Sequence, residues 1–149
     1  MRNWKPSATV AAVIERNGRF LFVEEPIDGR LVLNQPAGHL EPDESLIAAC
    51  RREVLEETAH RFEPTALIGI YRWIYAPGNV TFLRFCFRGR IEGVDERPLD
   101  RQITALHWLT REELSARRPD HRSPLVQRCV DDFIAGRQFP LEVFSSEYA

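Results

Sequence analysis

Cysteine is scarce in this chain, and its few copies are irregularly placed. The 149 residues contain three cysteines, Cys50, Cys86 and Cys129, and no CxxC pair. An odd, scattered set of this kind indicates neither a disulfide framework nor a zinc site. Each cysteine sits in an apolar stretch, so we expect three small buried side chains in a cytoplasmic protein.

Long apolar runs are also missing. No segment approaches the roughly 18–20 apolar residues that span a bilayer, and the opening residues, MRNWKP, lack the apolar core of a signal peptide. Lysine is nearly absent, because Lys5 is the only lysine among 20 basic residues; with 22 acidic residues the net charge is -2. This balance argues against binding of long nucleic acids. We therefore expect neither a membrane nor a nucleic acid polymer as a partner, and small-molecule binding stays open.

Turn signals divide the chain into strands and helices without any repeat or linker. Strands are expected at residues 10–14, 20–23, 31–33, 67–75, 80–90 and 103–109. Tight turns are expected at Asn17-Gly18, Asp28-Gly29 and 77–79, and a loop at 36–38. The pattern indicates an α/β protein with a mixed sheet, one domain over residues 1–149 and a monomer.

Capping signals place three helices. The first is expected from Asp43, as N-cap, to Thr58, because no glycine or proline interrupts it. Thr110 and Glu113 form a capping-box pattern for a short second helix. Ser123-Pro124 predicts the start of the third helix, and Gly136 its end.

Acidic residues crowd one face of the first predicted helix. At about 100° per residue, Glu53, Glu56 and Glu57 share an arc of about 100°, and Glu44 falls nearly opposite. A solvated acidic helix face would show the same cluster. However, three neighbouring carboxylates repel one another, and a hard divalent cation with oxygen ligands offsets that repulsion directly.

The spacing around this cluster favours the second interpretation. It runs from Gly38 over five residues to Glu44, over seven residues to 52–54, and over one more to 56–57. This pattern resembles the signature of the Nudix hydrolases. The resemblance implies an α/β/α sandwich with a mixed central sheet and the Nudix loop-helix-loop, which uses Mg²⁺ or Mn²⁺ to hydrolyse a diphosphate linked to another group.

Carried over by position, the resemblance assigns roles to each matching residue. It implies that the metal ligands are Glu53, Glu56, Glu57 and the Gly38 carbonyl. Arg52 would orient a glutamate, Glu44 would stabilise the motif, and Glu57 or Glu53 would serve as general base. The end of the motif departs from the pattern: Ala59 and His60 stand where the family has glycine and an aliphatic residue. Because that glycine ends the helix through a positive φ angle, we expect a different helix exit here.

Further strings suggest a substrate class. Segments at 23–25, 34–41, 83–85, 122–126 and 136–142 are similar to one bacterial subfamily of Nudix phosphatases. That similarity implies release of phosphate from hydroxymethylpyrimidine pyrophosphate, thiamine pyrophosphate and nucleoside di- and triphosphates. Two other Nudix activities stay open, namely pyrophosphate release from nucleoside triphosphates and cleavage of ADP-ribose. A binding module without catalysis is a further alternative, although such a module is expected to lose the motif carboxylates.

Candidate substrate residues lie outside the motif. Alternation places Tyr71, Trp73 and Tyr75 on one strand face, where Trp73 is either a stacking platform or a core residue. Arg84 alternates with apolar neighbours and is a candidate for gripping a terminal phosphate. The other candidates are Gln35 and His39, which flank Gly38, and Asp100, a distant acid with Glu96 behind it.

Overall fold

The computed structural model describes residues 3–145. The described strands are β1 (Ser7–Val13), β2 (Glu15–Arg16), β3 (Arg19–Ile27), β4 (Arg30–Asn34), β5 (Ala37–His39), β6 (His60–Tyr75), β7 (Val80–Val94), β8 (Ala105–Leu109) and β9 (Phe139–Pro140). The described α-helices are α1 (Leu46–Thr58), α2 (Arg111–Ser115) and α3 (Leu125–Ile134).

Two sheets share the chain. The first has the order β5-β1-β7-β6-β9, with β1 parallel to β7 and its other pairs antiparallel. In the second, which is antiparallel, β3 pairs with β2, β4 and β8. The chain passes from one sheet to the other at Ile14, whose carbonyl accepts a hydrogen bond of 2.9 Å from the Leu21 amide. Strand β1 belongs to the first sheet and β3 to the second, although only β2 and a tight turn separate them in the sequence.

Helices cover both faces of the mixed sheet. Val10 and Ala12 of β1 pack with α1 in one core cluster, whereas Ala11 and Val13 pack with α3 in another. This alternation follows from the two-residue period of a strand that is buried on both sides. The predicted α/β sandwich with a mixed sheet is confirmed. All three cysteines are buried and free, and no helix within residues 3–145 has the length and apolar character that crossing a membrane requires.

The predicted tight turns are present. Asn17 and Gly18 have φ angles of 52° and 78°, and Asp28 and Gly29 have φ angles of 51° and 82°. Two consecutive positive φ angles match the twist of the flanking strands, which is why Asn-Gly and Asp-Gly are favoured there. The turn between β6 and β7 is a single 3₁₀ turn, Ala76–Gly78.

The start of α1 differs from the prediction. The N-cap is Ser45, whose Oγ accepts a hydrogen bond of 3.0 Å from the Ala48 amide. Asp43 is not the cap, because its φ of 62° places it in a turn before the helix. The prediction of a loop at 36–38 is also wrong, since Ala37–His39 pairs with β1 as strand β5.

The later caps follow the sequence signals more closely. Thr110 and Glu113 form the predicted reciprocal capping box of α2. At α3 the predicted start is one residue early: the N-cap is Pro124, without a capping side-chain bond, and the helix begins at Leu125. The Ser123 hydroxyl still accepts a hydrogen bond of 3.1 Å from the Leu125 amide, and Gly136 has a φ of 82° just beyond the helix. Strand β8 begins at Ala105, two residues later than the expected start at Ile103.

The end of α1 corrects another expectation. Ala59 adopts a left-handed conformation, φ 59° and ψ 12°, and its amide donates to the Leu55 carbonyl at 2.9 Å. The helix exit expected of glycine is therefore kept, and the prediction of a different exit is wrong. The Ala59 carbonyl accepts a hydrogen bond of 2.8 Å from the Asp95 amide, which helps to hold this conformation.

Candidate active site

A cavity of about 410 Å³ lies beside α1 and β5. Its wall contains a group of acidic residues and a group of basic and aromatic residues. The acidic residues are Glu25, Glu41, Glu53, Glu57 and Asp100, and the basic and aromatic ones are His39, Trp73, Phe82, Arg84 and Arg122. A cavity with both groups suits a ligand that brings a cation and an anion together.

Three carboxylates converge in this cavity. Glu53 and Glu57 lie one turn apart on α1, and Asp100 comes from the connection between β7 and β8. One carboxylate oxygen from each lies within 4.8 Å of the other two. Asp100 reaches this position because its backbone amide donates a hydrogen bond of 2.9 Å to the Glu56 carbonyl.

Burial makes the two glutamates of this group weak acids. Burial, more than any other cause, raises the pKa of Glu57 to about 9 and the pKa of Glu53 to about 7. The Ala37 amide donates to Glu57 Oε1 at 2.9 Å, which lowers the pKa of Glu57 but does not outweigh burial. In the described part of the chain, neither Glu57 nor Asp100 has a basic side chain within 4.0 Å. The cluster is therefore short of positive charge.

The donor chemistry of this cluster fits a divalent cation. Carboxylate oxygens are the ligands that Mg²⁺ and Mn²⁺ prefer. Gly38 packs directly against one of them: a Cβ on Gly38 would lie 2.1 Å from Glu53 Cδ. Only glycine leaves room for the Glu53 carboxylate at this place.

Arg52 forms ion pairs with three glutamates, outside the cavity wall. Its guanidinium lies 2.6 Å from Glu44, 2.8 Å from Glu53 and 2.7 Å from Glu56, and it donates to the His39 carbonyl at 3.0 Å. These hydrogen bonds, above all that to Glu44, raise the pKa of Arg52, and Arg52 in turn lowers the pKa of Glu44. The side chain fixes the rotamer of Glu53 that faces the cavity.

Glu56 is placed apart from the other two motif glutamates. Its carboxylate contacts Arg52, and it belongs neither to the group of converging acids nor to the cavity wall. Glu96 is exposed and also lies outside the wall. The structure therefore brings Asp100 together with Glu53 and Glu57, and leaves Glu56 to the arginine.

Arg84 lies in the cavity wall on β7. Its side chain is buried, and it donates hydrogen bonds of 2.8 Å to Asn34 Oδ1 and to Gln35 Oε1. Among residues 3–145, no carboxylate lies within 4.0 Å of this guanidinium. Buried arginine is seldom left without an anionic partner. An anion bound in the cavity would supply that charge.

Gln35 lies behind Arg84 and does not reach the cavity wall. Its amide nitrogen donates to the Val126 carbonyl at 2.8 Å, and its oxygen accepts from Arg84. Each end of the buried amide makes a hydrogen bond within the protein, and Gln35 does not line the cavity, so it holds the guanidinium rather than a ligand.

Aromatic rings line the remaining wall. Trp73 stacks on Phe82 with a centroid distance of 5.6 Å and an interplanar angle of 18°. His39 is exposed at the rim, 6.2 Å from the Phe82 ring. Tyr71 lies deeper, where its hydroxyl donates to Asp132 at 2.7 Å. The indole is thus a wall of the cavity rather than a core residue beneath α1.

Sequence reasoning did not select three of the polar residues in the wall. Glu25 alternates with Glu24 on β3, and burial raises its pKa; the alternation is a signal that points one of the two acids inward. Asn34, the partner of Arg84, ends strand β4. Arg122 precedes α3, and no local pattern marks it.

Comparison with known proteins identifies the class of this site. The family model of the NUDIX domain matches residues 4–129, and the chain belongs to the Nudix hydrolase family. It is 41% identical over 141 residues to Phosphatase NudJ from Escherichia coli (strain K12) and from Shigella sonnei, covering 94% of this chain and 91% of those proteins. A NUDIX hydrolase from Nitrosomonas europaea has a TM-score of 0.92 and 49% identity, over 95% of this chain and 97% of that one.

These similarities confirm the family resemblance, the hydrolase class and the resemblance to a bacterial phosphatase subfamily. A MutT NUDIX hydrolase from Burkholderia pseudomallei, with a TM-score of 0.71 and 21% identity, shares the fold.

Proposed function

We propose that this protein is a divalent-metal-dependent phosphatase of small pyrophosphate compounds. Its substrates are hydroxymethylpyrimidine pyrophosphate, thiamine pyrophosphate and nucleoside di- or triphosphates, from which it releases phosphate. One observation carries the proposal: three converging carboxylates share a single cavity with a buried arginine that has no carboxylate partner among residues 3–145. The 41% identity to Phosphatase NudJ over most of both chains supports the same substrate class.

The metal in this proposal is Mg²⁺ or Mn²⁺. Glu53, Glu57 and Asp100 would hold it, and the Gly38 carbonyl is a further candidate ligand. Glu56 would join them only if its carboxylate left Arg52. A cation bound there would neutralise diphosphate charge and raise the acidity of the attacking water.

The residues of the chain carry out the other parts of the reaction. Water attacks the terminal phosphorus of the diphosphate and the bond from that phosphorus to the bridging oxygen breaks, so that the organic monophosphate keeps the bridging oxygen and orthophosphate contains the oxygen of the water. Glu57 or Glu53 accepts the proton of the water. Arg52 keeps Glu53 in its inward rotamer, and Glu44 keeps Arg52 in place. These are positioning roles, because neither side chain lines the cavity.

The basic and aromatic wall binds the substrate. Arg84 grips a terminal phosphate through its guanidinium, which Asn34 and Gln35 hold in position. Trp73 offers its ring to the organic group, and His39 contacts the substrate from the rim. Small substrates fit this arrangement, since the cavity measures about 410 Å³.

Product analysis tests the proposal. Purified enzyme with Mg²⁺ or Mn²⁺ is incubated with hydroxymethylpyrimidine pyrophosphate, thiamine pyrophosphate, ADP, ATP and ADP-ribose, and orthophosphate and pyrophosphate are measured separately. We expect orthophosphate from the first four. Pyrophosphate from ATP, or turnover of ADP-ribose alone, would assign one of the other Nudix activities. An absence of hydrolysis across the panel would favour a binding module.

The cytoplasmic location, the monomeric state and the single domain over residues 1–149 stay predictions of the sequence. Size-exclusion chromatography with light scattering tests the monomer.

A further inference from the structure

Arg122 is a second arginine in the wall of the cavity that contains the acids. It is half-buried, and among residues 3–145 no carboxylate lies within 4.0 Å of its guanidinium. Burial raises the pKa of Glu25 in the same wall, and the positive charge of Arg122 opposes that rise. The charge of Arg122 therefore acts inside the cavity without being neutralised by a direct ion pair.

Two aromatic rings hold the Arg122 guanidinium in place. Its central carbon lies 5.2 Å from the Trp73 ring centroid and 4.8 Å from the Tyr75 ring centroid, within the range of cation–π attraction. The rings are fixed in turn, since Trp73 stacks on Phe82 and the Tyr75 hydroxyl donates to Asp28. Ring faces attract the cation without accepting its N–H groups in ordinary hydrogen bonds. The guanidinium is thus preorganised, and its donors are left for an anion.

Strand β4 brings this arginine to the same part of the molecule as Arg84. The Arg122 amide donates to the Leu33 carbonyl at 2.8 Å, and the Arg84 guanidinium donates to Asn34 Oδ1, also at 2.8 Å. Leu33 and Asn34 are consecutive residues at the end of the strand. Two cations from distant segments are therefore attached to neighbouring points and share one cavity wall.

The register of β6 and β7 places Arg122 farther out than Arg84. Arg84 is 6% exposed and lies opposite Tyr71. The rings that hold Arg122, those of Trp73 and Tyr75, follow Tyr71 on the same strand face in steps of two residues, each about 7 Å. The buried guanidinium thus lies at the inner end of this wall, and the half-buried one lies toward its outer part.

We propose that Arg122 binds the phosphate that stays with the organic product, whereas Arg84 binds the terminal phosphate that is released. This assignment rests on the proposed function. A diphosphate whose terminal phosphate reaches Arg84 has its second phosphate farther out, on the side of Arg122. When the bond from the terminal phosphorus breaks, its electron pair stays on the bridging oxygen, and the negative charge of the retained phosphate increases. A guanidinium beside that phosphate stabilises both the bound substrate and the leaving group.

The assignment makes no demand on the organic ring. Hydroxymethylpyrimidine pyrophosphate, thiamine pyrophosphate and nucleoside diphosphates all carry a phosphate between the ring-bearing group and the terminal phosphate. Arg122 would therefore serve every substrate of the proposed function and would distinguish phosphorylated from unphosphorylated compounds.

Calorimetry with three ligands in the presence of Mg²⁺ tests this division of roles. AMP carries the retained phosphate, adenosine lacks it, and orthophosphate is the released group. Arg122→Gln should weaken AMP binding about 10- to 100-fold, the value of a lost charge-assisted hydrogen bond, and should leave the Kd of adenosine and of orthophosphate within about twofold of wild type. Arg84→Gln should weaken the binding of orthophosphate more than that of AMP.

The matched control is Arg16→Gln. Arg16 is exposed, its guanidinium carbon lies 4.4 Å from the Trp108 ring centroid, and it is outside the cavity wall. Its loss removes a comparable cation–π contact and should leave all three affinities unchanged. Arg122→Lys keeps the positive charge and should recover part of the AMP affinity. If Arg122→Gln does not fold, Arg122→Met, with an unbranched side chain against the two rings, repeats the comparison.

The outcomes separate this assignment from the proposed function. Equal losses for AMP and adenosine in Arg122→Gln would overturn the assignment, because Arg122 would then support the ring or the fold. Weaker binding of orthophosphate in place of AMP would overturn it as well. A selective loss of AMP affinity in a protein that releases no phosphate from ADP would overturn the proposed function and keep the assignment. Phosphate release from ADP with an unchanged kcat/KM in Arg122→Gln would do the reverse.

Discussion

The backbone amide of Asp100 donates a hydrogen bond of 2.9 Å to the carbonyl oxygen of Glu56. This bond attaches the long connection after β7 to the last turn of α1, where the backbone carbonyls have no hydrogen-bond donor within the helix. It places a carboxylate from another part of the chain beside Glu53 and Glu57 without using any side chain. The acidic cluster thus depends on backbone geometry as much as on the motif.

Removing the charge of Glu57 tests the chemistry. In Glu57→Gln the amide oxygen can still accept from the Ala37 amide, so the fold should be kept. We expect kcat with Mg²⁺ to fall about 10³-fold, because the proposed function makes Glu57 a metal ligand and an acceptor of the proton of water. Phosphate release is the measurement. The control is Glu112→Gln, at an exposed glutamate of α2. Near-normal turnover in Glu57→Gln would exclude both roles.

Substitution of Arg84 tests anion binding. Arg84→Gln keeps a polar side chain beside Asn34 and Gln35 but removes the buried positive charge. We expect kcat/KM for a diphosphate to fall about 10- to 100-fold, in line with the loss of charge-assisted hydrogen bonds. Arg90→Gln, on the exposed part of the same strand, should behave as the wild type. If the two variants have the same kcat/KM, Arg84 does not bind the phosphate.

Metal and pH should act together on stability. The pKa values of Glu53 and Glu57 rise to about 7 and about 9, from 4.5 for a free glutamate. At pH values above 4.5 and below these raised pKa values, the two glutamates stay protonated in the folded metal-free protein but lose their protons in the unfolded chain. The free energy of unfolding of the metal-free protein should therefore decrease as the pH rises from 5 to 9. Mg²⁺ competes with those protons, and its stabilising effect should grow over the same range.

Melting curves at pH 6 and pH 9, with EDTA or with Mg²⁺, measure this coupling. At a Mg²⁺ concentration 100 times Kd we expect an increase of about 5–10 °C at pH 9, and a smaller one at pH 6. Equal increases at both pH values would mean that the buried glutamates do not bind the ion.

Arg52 should matter more for stability than an exposed ion pair. Arg52→Ala leaves Glu44, Glu53 and Glu56 facing one another without a cation. We expect the free energy of unfolding to fall by about 2 kcal/mol in urea titrations. The comparison is Arg61→Ala, which breaks the exposed pair with Asp95 and should cost less than about 1 kcal/mol. Similar losses in the two variants would show that the cluster is solvated and weakly coupled.

Substitutions of Ala59 test how much the left-handed backbone conformation at the end of α1 costs in stability. Ala59→Val puts a β-branched side chain at φ 59° and should lower the free energy of unfolding by about 2 kcal/mol. Ala59→Gly should change it by less than about 1 kcal/mol, because relief of the left-handed cost is offset by the flexible backbone and by one lost buried methyl group. A tolerated valine would indicate that the helix end adjusts.

Local patterns were enough for much of this fold. Asn17-Gly18 and Asp28-Gly29 specify their turns through φ angles that few other residues adopt, and the spacing of Glu53 and Glu57 puts both on one side of a helix. Asp43 shows where local reading fails: its type suits an N-cap, but the turn that brings Glu44 to Arg52 moves the cap to Ser45.

Long-range contacts account for the rest. Helical angle alone groups Glu56 with Glu53 and Glu57, whereas the rotamer that meets Arg52 separates it from them. Gln35 was expected to face the substrate. Its two partners, Arg84 and Val126, come from β7 and α3, and the residues next to Gln35 in the sequence do not indicate that these elements lie beside it. Arg122 enters the wall only because its segment is pinned to β4, where its amide donates to the Leu33 carbonyl at 2.8 Å.

The closeness in sequence of β5 and α1 has a consequence for how such an enzyme changes over time. Most of its acidic machinery lies on one short stretch between Ala37 and Glu57, while Trp73, Arg84 and Arg122 come from three separate segments. Substitutions in those segments can therefore alter which compound is accepted and leave the hydrolytic half intact. A chain built in this way can acquire new substrates by piecemeal mutation, one wall of the cavity at a time.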